Sequence, residues 1–588
     1  MCGCGKAALR NKRSGEVFSL TIDEMKSGLF SRVCSSLRIG LFCCSLVQAG
    51  GEVAHGTRGI VATVHPLATD AAIDTFQKGG NAIDAAVAAA LTLGVVDGHN
   101  SGLGGGCFLL IRLGDGTFAA IDGRETAPAT ATHDMFLHEG KVVPGLSLTG
   151  PLAAGVPGAL AAYDFAARHY GKLSLSELLR FAAKTAQAGF TVNRHFSDSL
   201  LANAKELGMF DASRAAFLKP DGRPWKTGEL LRLPDLAKTC HAIADGGLDW
   251  FYRGPFARAT AEWMAKNGGL LTIEDFGNYR VKTREPVRTT YRGYQIVGFP
   301  PPSSGGVHVA QILNILENFE LKTMGPNSAD FIHVVAESMK LAFADRAYWL
   351  GDPDFVKVPR GLGAKAYAVR LAKGIRLNRA MPVARHGAPD GAETDVFDRH
   401  TTHLSTADAD GNWVACTATV NTSFGCKVVV PGTGVVLNNQ MDDFSVQPGA
   451  TNYFGLIGAE ANAIAPGKRP LSSMSPTLVL KDGKPVLSVG AAGGPTIISQ
   501  TVLAIIGTID FGMDPEAALA QPRFHHQWKP DELVVEKGIG EDVLRDLEKR
   551  GHRLKRVNSL GVTQAVGANP SGFAGACDPR VEGKAAGW

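Results

Sequence analysis

At Thr401 the periodicity of this chain changes from helical to alternating, and that change restricts the fold more than any other feature. THLSTAD, a turn at Asp410-Gly411-Asn412 and WVACTATV together spell a β-hairpin. A second hairpin, PTLVLK and KPVLSVG, is closed by the two-residue turn Asp482-Gly483. Gly493-Gly494-Pro495 then opens an apolar helix, TIISQTVLAIIGTI, with Pro at its first turn. Asp514 caps a further helix, and a last one over Glu541–Arg550 is stopped by Gly551. Before Thr401 the pattern is mostly helical. Val61 to Val96 is Ala-rich and broken at Gly79-Gly80, with Asn81 placed to cap AIDAAVAAALTL. The Gly-rich run Ser101–Gly106 precedes the apolar strand Cys107–Leu113 and lacks Gly-Lys-Ser/Thr. It reads as a turn beside a pocket, not as a phosphate loop. Residues 155–270 alternate helical patterns with polar loops, and the hard turn Pro300–Gly306 leads into the helical VHVAQILNILENF. Hairpins and helices together predict an antiparallel sheet covered by helices, in an α+β or a layered αββα arrangement. Residues 380–400 hold Pro, Gly and charge without a period and read as an exposed linker.

The net charge of +4 lies wholly in residues 1–49, where seven basic residues face three acidic ones, so the body is neutral. A nucleic-acid binder keeps a basic stripe on its folded body, and that class is set aside. The leader carries Arg32 and Arg38, the apolar run IGLFCCSLV and then Val47-Gln48-Ala49. This order of basic, apolar and small residues predicts a secretory signal cleaved after Ala49, and hence export to the periplasm or the medium. Met25 offers a better start than Met1. No apolar stretch reaches the ~18 residues of a spanning helix. Cys107, Cys240, Cys416, Cys426 and Cys577 are widely spaced and odd in number, neither a disulfide framework nor a zinc site. No metal and no cofactor is expected.

Familiar catalytic signatures are missing. There is no G-x-S-x-G, no S-x-x-K and no H-E-x-x-H, and adjacent His525-His526 point apart on any regular element. What remains is a group of hydroxyls and amides between residues 401 and 496. A hairpin turn centred on Asp410 opposes Thr401 and Thr419, whereas a centre half a residue later moves the partner to Val420. Such a pair by itself is a common cross-strand contact.

Longer motifs carry more. Thr401-Thr402-His403-Leu404-Ser405, Asn438-Asn439-Gln440-Met441-Asp442-Asp443-Phe444 and Arg469-Pro470-Leu471-Ser472-Ser473-Met474-Ser475-Pro476-Thr477 resemble the γ-glutamyltransferases, also called γ-glutamyl transpeptidases. Gly493-Gly494, Pro522–Trp528, Asp122-Gly123-Arg124-Glu125-Thr126-Ala127-Pro128, Pro301-Pro302-Ser303-Ser304-Gly305-Gly306 and Gly351-Asp352-Pro353 agree, in order, from about residue 58 to the C-terminus. The resemblance implies a four-layer αββα N-terminal-nucleophile hydrolase sandwich built from two chains of one precursor, cut between His400 and Thr401. The parts would be a leader 1–49, a large chain 50–400 and a small catalytic chain 401–588. It implies Thr401 as nucleophile with its freed amino group as base, an amine whose free pKa of about 7.7–8.0 suits neutral pH. Thr419 would orient Thr401, and Gly493 and Gly494 would form the oxyanion hole. Arg124, Ser472 and Ser473 would hold the substrate α-carboxylate at one end, and Asn421, Gln440 and Asp443 the α-ammonium at the other. The substrates implied are glutathione and other γ-glutamyl compounds, with water or amino acids and peptides as acceptors. Phe454 departs from many bacterial relatives, which place a lid tyrosine there. Tyr453 is next to it, but alternate side chains point apart. Two other readings stand beside this one: a cephalosporin or glutaryl-amide acylase, and an inactive binding protein on the same fold.

Overall fold

The computed structural model describes residues 53–390 and 402–588, apart from Pro448 and Ala459. It also describes a separate two-strand pair, Leu9–Arg10 with Val17–Phe18, in the leader. The rest of the leader, the stretch 391–400 and Thr401 lie outside the described residues.

Fourteen strands make two seven-stranded sheets. In chain order they are β1 Ala54–Gly56, β2 Gly59–Thr63, β3 Gly106–Arg112, β4 Phe118–Gly123, β5 Lys282–Arg284, β6 Val287–Tyr291 and β7 Tyr294–Gly298. After residue 401 come β8 Thr402–Asp408, β9 Trp413–Thr419, β10 Thr477–Lys481, β11 Lys484–Ala492, β12 Val562–Asn569, β13 Gly572–Cys577 and β14 Lys584–Gly587. The first sheet runs β5-β4-β3-β9-β8-β2-β14 and the second β6-β7-β10-β11-β12-β13-β1, every pairing antiparallel.

Strand alternation builds the layers. Ile60, Ala62, Phe108, Leu110, Trp413 and Ala415 meet Val297, Leu478, Leu480 and Val566 between the sheets. Their neighbours Val61, Leu109, Ile111, Val414 and Cys416 face outward into helices of residues 66–267. The second sheet turns Ile296, Val479, Leu487 and Val489 onto other helices. The arrangement is the expected αββα sandwich. Helix α1 (Pro66–Gln77) and helix α2 (Ala82–Val96) pack on the first sheet, and α2 is Ala-rich and buried along all but one of its residues. Asn81 caps α2 with a full capping box. Helices α3 (Gly305–Leu316), α4 (Ala329–Trp349) and α5 (Thr496–Ile509) cover the second sheet.

The hairpin register follows the Asp410-centred turn, with Thr402 opposite Ala418 and Ala407 opposite Trp413. Part of the expected linker is anchored. The Ala380 amide donates to the Arg550 carbonyl, Met381 to Glu337, and Gly387 to Asp345. Among the described residues no helix is long and apolar enough to cross a membrane.

Candidate active site

The site forms where the ends of the two central hairpins meet the loops that follow them. Thr419 ends β9, and its Oγ1 accepts the Asn421 amide at 2.8 Å. Asn421 needs that support, since its φ of 78° is in the left-handed region. Thr419 shares its face of β9 with Thr417, whose Oγ1 lies 2.9 Å from His403 Nδ1 between the sheets. Burial pushes His403 down to about 3, so this imidazole is neutral and structural. Thr401 and His400 lie outside the described residues. The first described residue of β8, Thr402, donates to Asp97 at 2.8 Å.

Gly493 and Gly494 make the corner between β11 and α5, with φ of 130° and 64°. A Cβ on Gly493 would lie 2.7 Å from Thr496 Oγ1 and 2.8 Å from Gly561 Cα, so the backbone there is open only because it is glycine. Gly493, Thr402, Asn421, Tyr453 and Phe454 line a cavity of about 250 Å³, together with Asp97 and His195.

Arg124 follows β4 and is fully buried. Its Nε donates to the Pro470 carbonyl and its Nη2 to the Leu471 carbonyl, each at 3.0 Å, while Nη2 also donates to Asp443 Oδ2. Gln440 Nε2 donates to the same carboxylate oxygen at 2.5 Å, and both residues belong to one 3₁₀ turn, Gln440–Asp443. Asp443 also lines a second cavity, of about 210 Å³, which shares Tyr453 with the first. Two buried carbonyl oxygens nearby, Gln440 Oε1 and Asn421 Oδ1, accept no hydrogen bond from a described residue. Beside Arg124, burial raises the Glu125 carboxyl to about 7 against the guanidinium 3.5 Å away.

Two expectations need correction. Arg124 and Asp443 do not hold opposite ends of a pocket: they touch. An α-carboxylate and an α-ammonium share one carbon, so their partners must be neighbours. Tyr453 and Phe454 do not point apart either. Alternation holds for a strand, but this segment is a turn; the two rings meet edge to face at 4.5 Å and both line the larger cavity. Gln527 holds the turn through the Phe454 carbonyl at 3.2 Å.

Ser472 and Ser473 are fully buried and follow the carbonyls that Arg124 grips. Ser472 Oγ accepts the Met474 amide, and Ser473 Oγ accepts from Arg346 of α4 at 3.0 Å. Arg346 and Asp97 were invisible as site residues in the sequence, because each sits in or beside a helix with no local motif.

Among the described residues one group offers three metal-ligand atoms: His333, Glu337 and His552. Lys340 Nζ lies 2.6 Å from Glu337 Oε1, and the two imidazoles bond to each other at 2.7 Å. An internal ammonium thus already balances the carboxylate.

A family model described as gamma-glutamyltranspeptidase matches residues 68–588. The glutathione hydrolase proenzyme of Escherichia coli strain K12 is 46% identical over 536 residues, 90% of this chain and 92% of that protein. The acylase ACY 1 proenzyme of Pseudomonas sp. strain SE83 is 39% identical, over 93% of this chain and 95% of that one. Among solved structures, the cephalosporin acylase from Bacillus halodurans aligns with a TM-score of 0.82 at 31% identity, covering 91% of this chain and 97% of that chain.

Proposed function

This chain belongs to the gamma-glutamyltranspeptidase family, and from that premise we propose how its residues carry the reaction. It is a glutathione hydrolase and γ-glutamyltransferase. It breaks the γ-glutamyl amide of glutathione and related donors, and passes the acyl group to water or to the amine of an amino acid or peptide.

One observation carries the choice of substrate: the buried cluster of Arg124, Asp443 and Gln440. A guanidinium fork suits a carboxylate. Asp443 with the acceptor oxygens of Gln440 and Asn421 suits a group that only donates, an ammonium. The two charges of a γ-glutamyl α-carbon meet opposite charges there, which offsets the several kcal/mol that burying each alone would cost. Thr401, freed by cleavage after His400, attacks the γ-carbonyl carbon while its own amino group takes the hydroxyl proton. The Gly493 and Gly494 amides stabilise the oxyanion. The leaving amine takes the proton as the ester to Thr401 forms. Water or an acceptor amine then reverses these steps. Thr419 orients the nucleophile, and Ser472 and Ser473 complete the carboxylate clamp.

The precursor matures into chains of about 50–400 and 401–588, and residues 1–49 direct export to the periplasm or the medium. The small chain should begin Thr-Thr-His-Leu-Ser, and Thr401→Ala should remain one uncut chain.

The acylase reading has relatives in both sequence and fold behind it, but a glutaryl group has no ammonium for Asp443 to meet. Asp443→Asn keeps the shape and removes the charge. Its kcat/KM on a γ-glutamyl anilide should fall about 30-fold or more, as expected for removing one partner of a desolvated pair. On a glutaryl anilide the loss should be small. Equal losses on both anilides would mean that Asp443 is structural, and the acylase reading would regain ground.

A further inference from the structure

The motif Pro301-Pro302-Ser303-Ser304-Gly305-Gly306 has no part in the mechanism above, yet it touches the expected carboxylate clamp directly. The Ser472 amide donates to the Pro302 carbonyl, and the Ser304 amide returns a bond to the Ser472 carbonyl, each at 2.7 Å. Ser304 Oγ donates to the same carbonyl at 2.8 Å, and Ser303 Oγ reaches the Met474 carbonyl at 2.5 Å. Gly305 is required here, because a Cβ would lie 2.4 Å from the Met474 carbonyl oxygen. This turn is a cradle for the backbone of residues 472–474.

Behind the cradle stands Arg346, fully buried on α4. Its guanidinium forks. Nε donates to Ser304 Oγ at 2.8 Å, and Nη2 donates to Ser473 Oγ at 3.0 Å. Both serine oxygens are therefore acceptors toward Arg346. Ser304 spends its proton on the Ser472 carbonyl. Ser473 Oγ donates to no described residue, so its proton is left for another acceptor.

We infer that Arg346 is a positioning residue for substrate binding. By occupying a lone pair of Ser473 Oγ it turns that hydroxyl outward as a donor, and through Ser304 it fixes the peptide that carries Ser472 and Ser473. Its charge lies one hydroxyl behind the position proposed for the α-carboxylate, so the clamp has a second guanidinium that never touches the substrate. A planar fork is needed to reach two hydroxyls at once, which an ammonium on a single stem does not provide. The inference rests on the proposal that Ser473 binds the α-carboxylate.

The test uses the mature two-chain enzyme, its integrity checked by gel and by thermal melting. Two competitive inhibitors separate the roles: L-glutamate, which has the α-carboxylate, and 4-aminobutanoate, which lacks it. Arg346→Met should raise KM for a γ-glutamyl anilide and Ki for L-glutamate about 10- to 100-fold, with a smaller change in kcat. Ki for 4-aminobutanoate should stay within about twofold, since its ammonium meets Asp443 and it has no α-carboxylate to lose. Arg346→Lys should recover only part of the loss. Ser304→Ala should show the same selectivity more weakly, and it replaces Arg346→Met if that variant fails to mature. Ser473→Ala combined with Arg346→Met should be no worse than the worse single change. Equal shifts for both inhibitors, or additive losses with Ser473→Ala, would overturn the role of Arg346. If Ser473→Ala alone leaves the L-glutamate Ki unchanged, the clamp itself is wrong, which is a separate result.

Discussion

Thr402 Oγ1 donates to Asp97 Oδ2 at 2.8 Å, so one carboxyl both ends α2 and fixes the start of β8. That carboxyl is badly placed for a charge. It is buried at a helix C-terminus, where the dipole disfavours anions. Burial raises it to about 6, against the pull of His195 and the bonds from Thr402 and Asn100. The sign follows. Between the unfolded value of 3.8 and about 6 the folded state holds the proton that the unfolded state has lost. Stability from this group is thus full below pH 3.8 and falls as pH rises through 6. That difference corresponds to at most about 3 kcal/mol. Asp97→Asn should remove this slope. Its denaturant-derived stability should match wild type near pH 4 and exceed it by about 1–3 kcal/mol at pH 7. Glu125, raised to about 7, slopes the same way in both proteins, so the difference isolates Asp97. An unchanged slope in the variant would mean that Asp97 is ionised without penalty.

At the scale of elements, the corner Gly493-Gly494 joins the last residue of β11 to the first turn of α5. Gly493→Ala must both strain a φ of 130° and press a Cβ against Gly561 and Thr496. The strain costs about 1–3 kcal/mol of stability. If the amides form the oxyanion hole, kcat should fall further, about 10²- to 10³-fold, with KM changing less. A kcat loss no larger than the stability loss implies would leave the corner as a turn only. This corner was legible in the sequence, as were both hairpins, the Asp482-Gly483 turn and the capped α2. Each is local: period-two alternation, a turn pair with positive φ, or a cap within four residues. The resemblance supplied the names of Arg124 and Asp443, but no local pattern shows that they touch across 319 residues. That contact depends on β4 and the Gln440–Asp443 turn reaching the same end of the sandwich, which is a tertiary fact. Tyr453 and Phe454 meet for a related reason: period-two alternation needs a strand to impose it, and this segment is a turn. Arg346 gives no such signal, because a buried arginine in a long helix of mixed polarity has no spacing that distinguishes it from a solvated one.

At the scale of the whole molecule, the proposed cut after His400 falls between strands that do not segregate. In the first sheet the hairpin β8–β9 would belong to the small chain, yet it lies between β3 and β2 of the large one. The C-terminal β14 then pairs with β2 from the other side. In the second sheet β7 of the large chain pairs with β10 of the small one, and β1 pairs with β13. The core between the sheets mixes Phe108 and Val297 with Trp413 and Leu478. Pulling the chains apart would open ladders in both sheets, at about 1 kcal/mol net for each backbone bond, and would expose a shared core. Among the described residues there is no face along which either chain could leave folded. The cut therefore changes the covalent connection without creating a dissociable interface. We expect the mature chains to co-elute on size exclusion after dilution to nanomolar concentration, and to separate only in denaturant. Signals from Trp413 in one chain and Trp349 in the other should melt in one transition at the same urea concentration, as for an obligate pair whose stability is inseparable from assembly. Loss of one chain on dilution, or two resolved midpoints, would show that the processed molecule has a seam that the strand order does not contain.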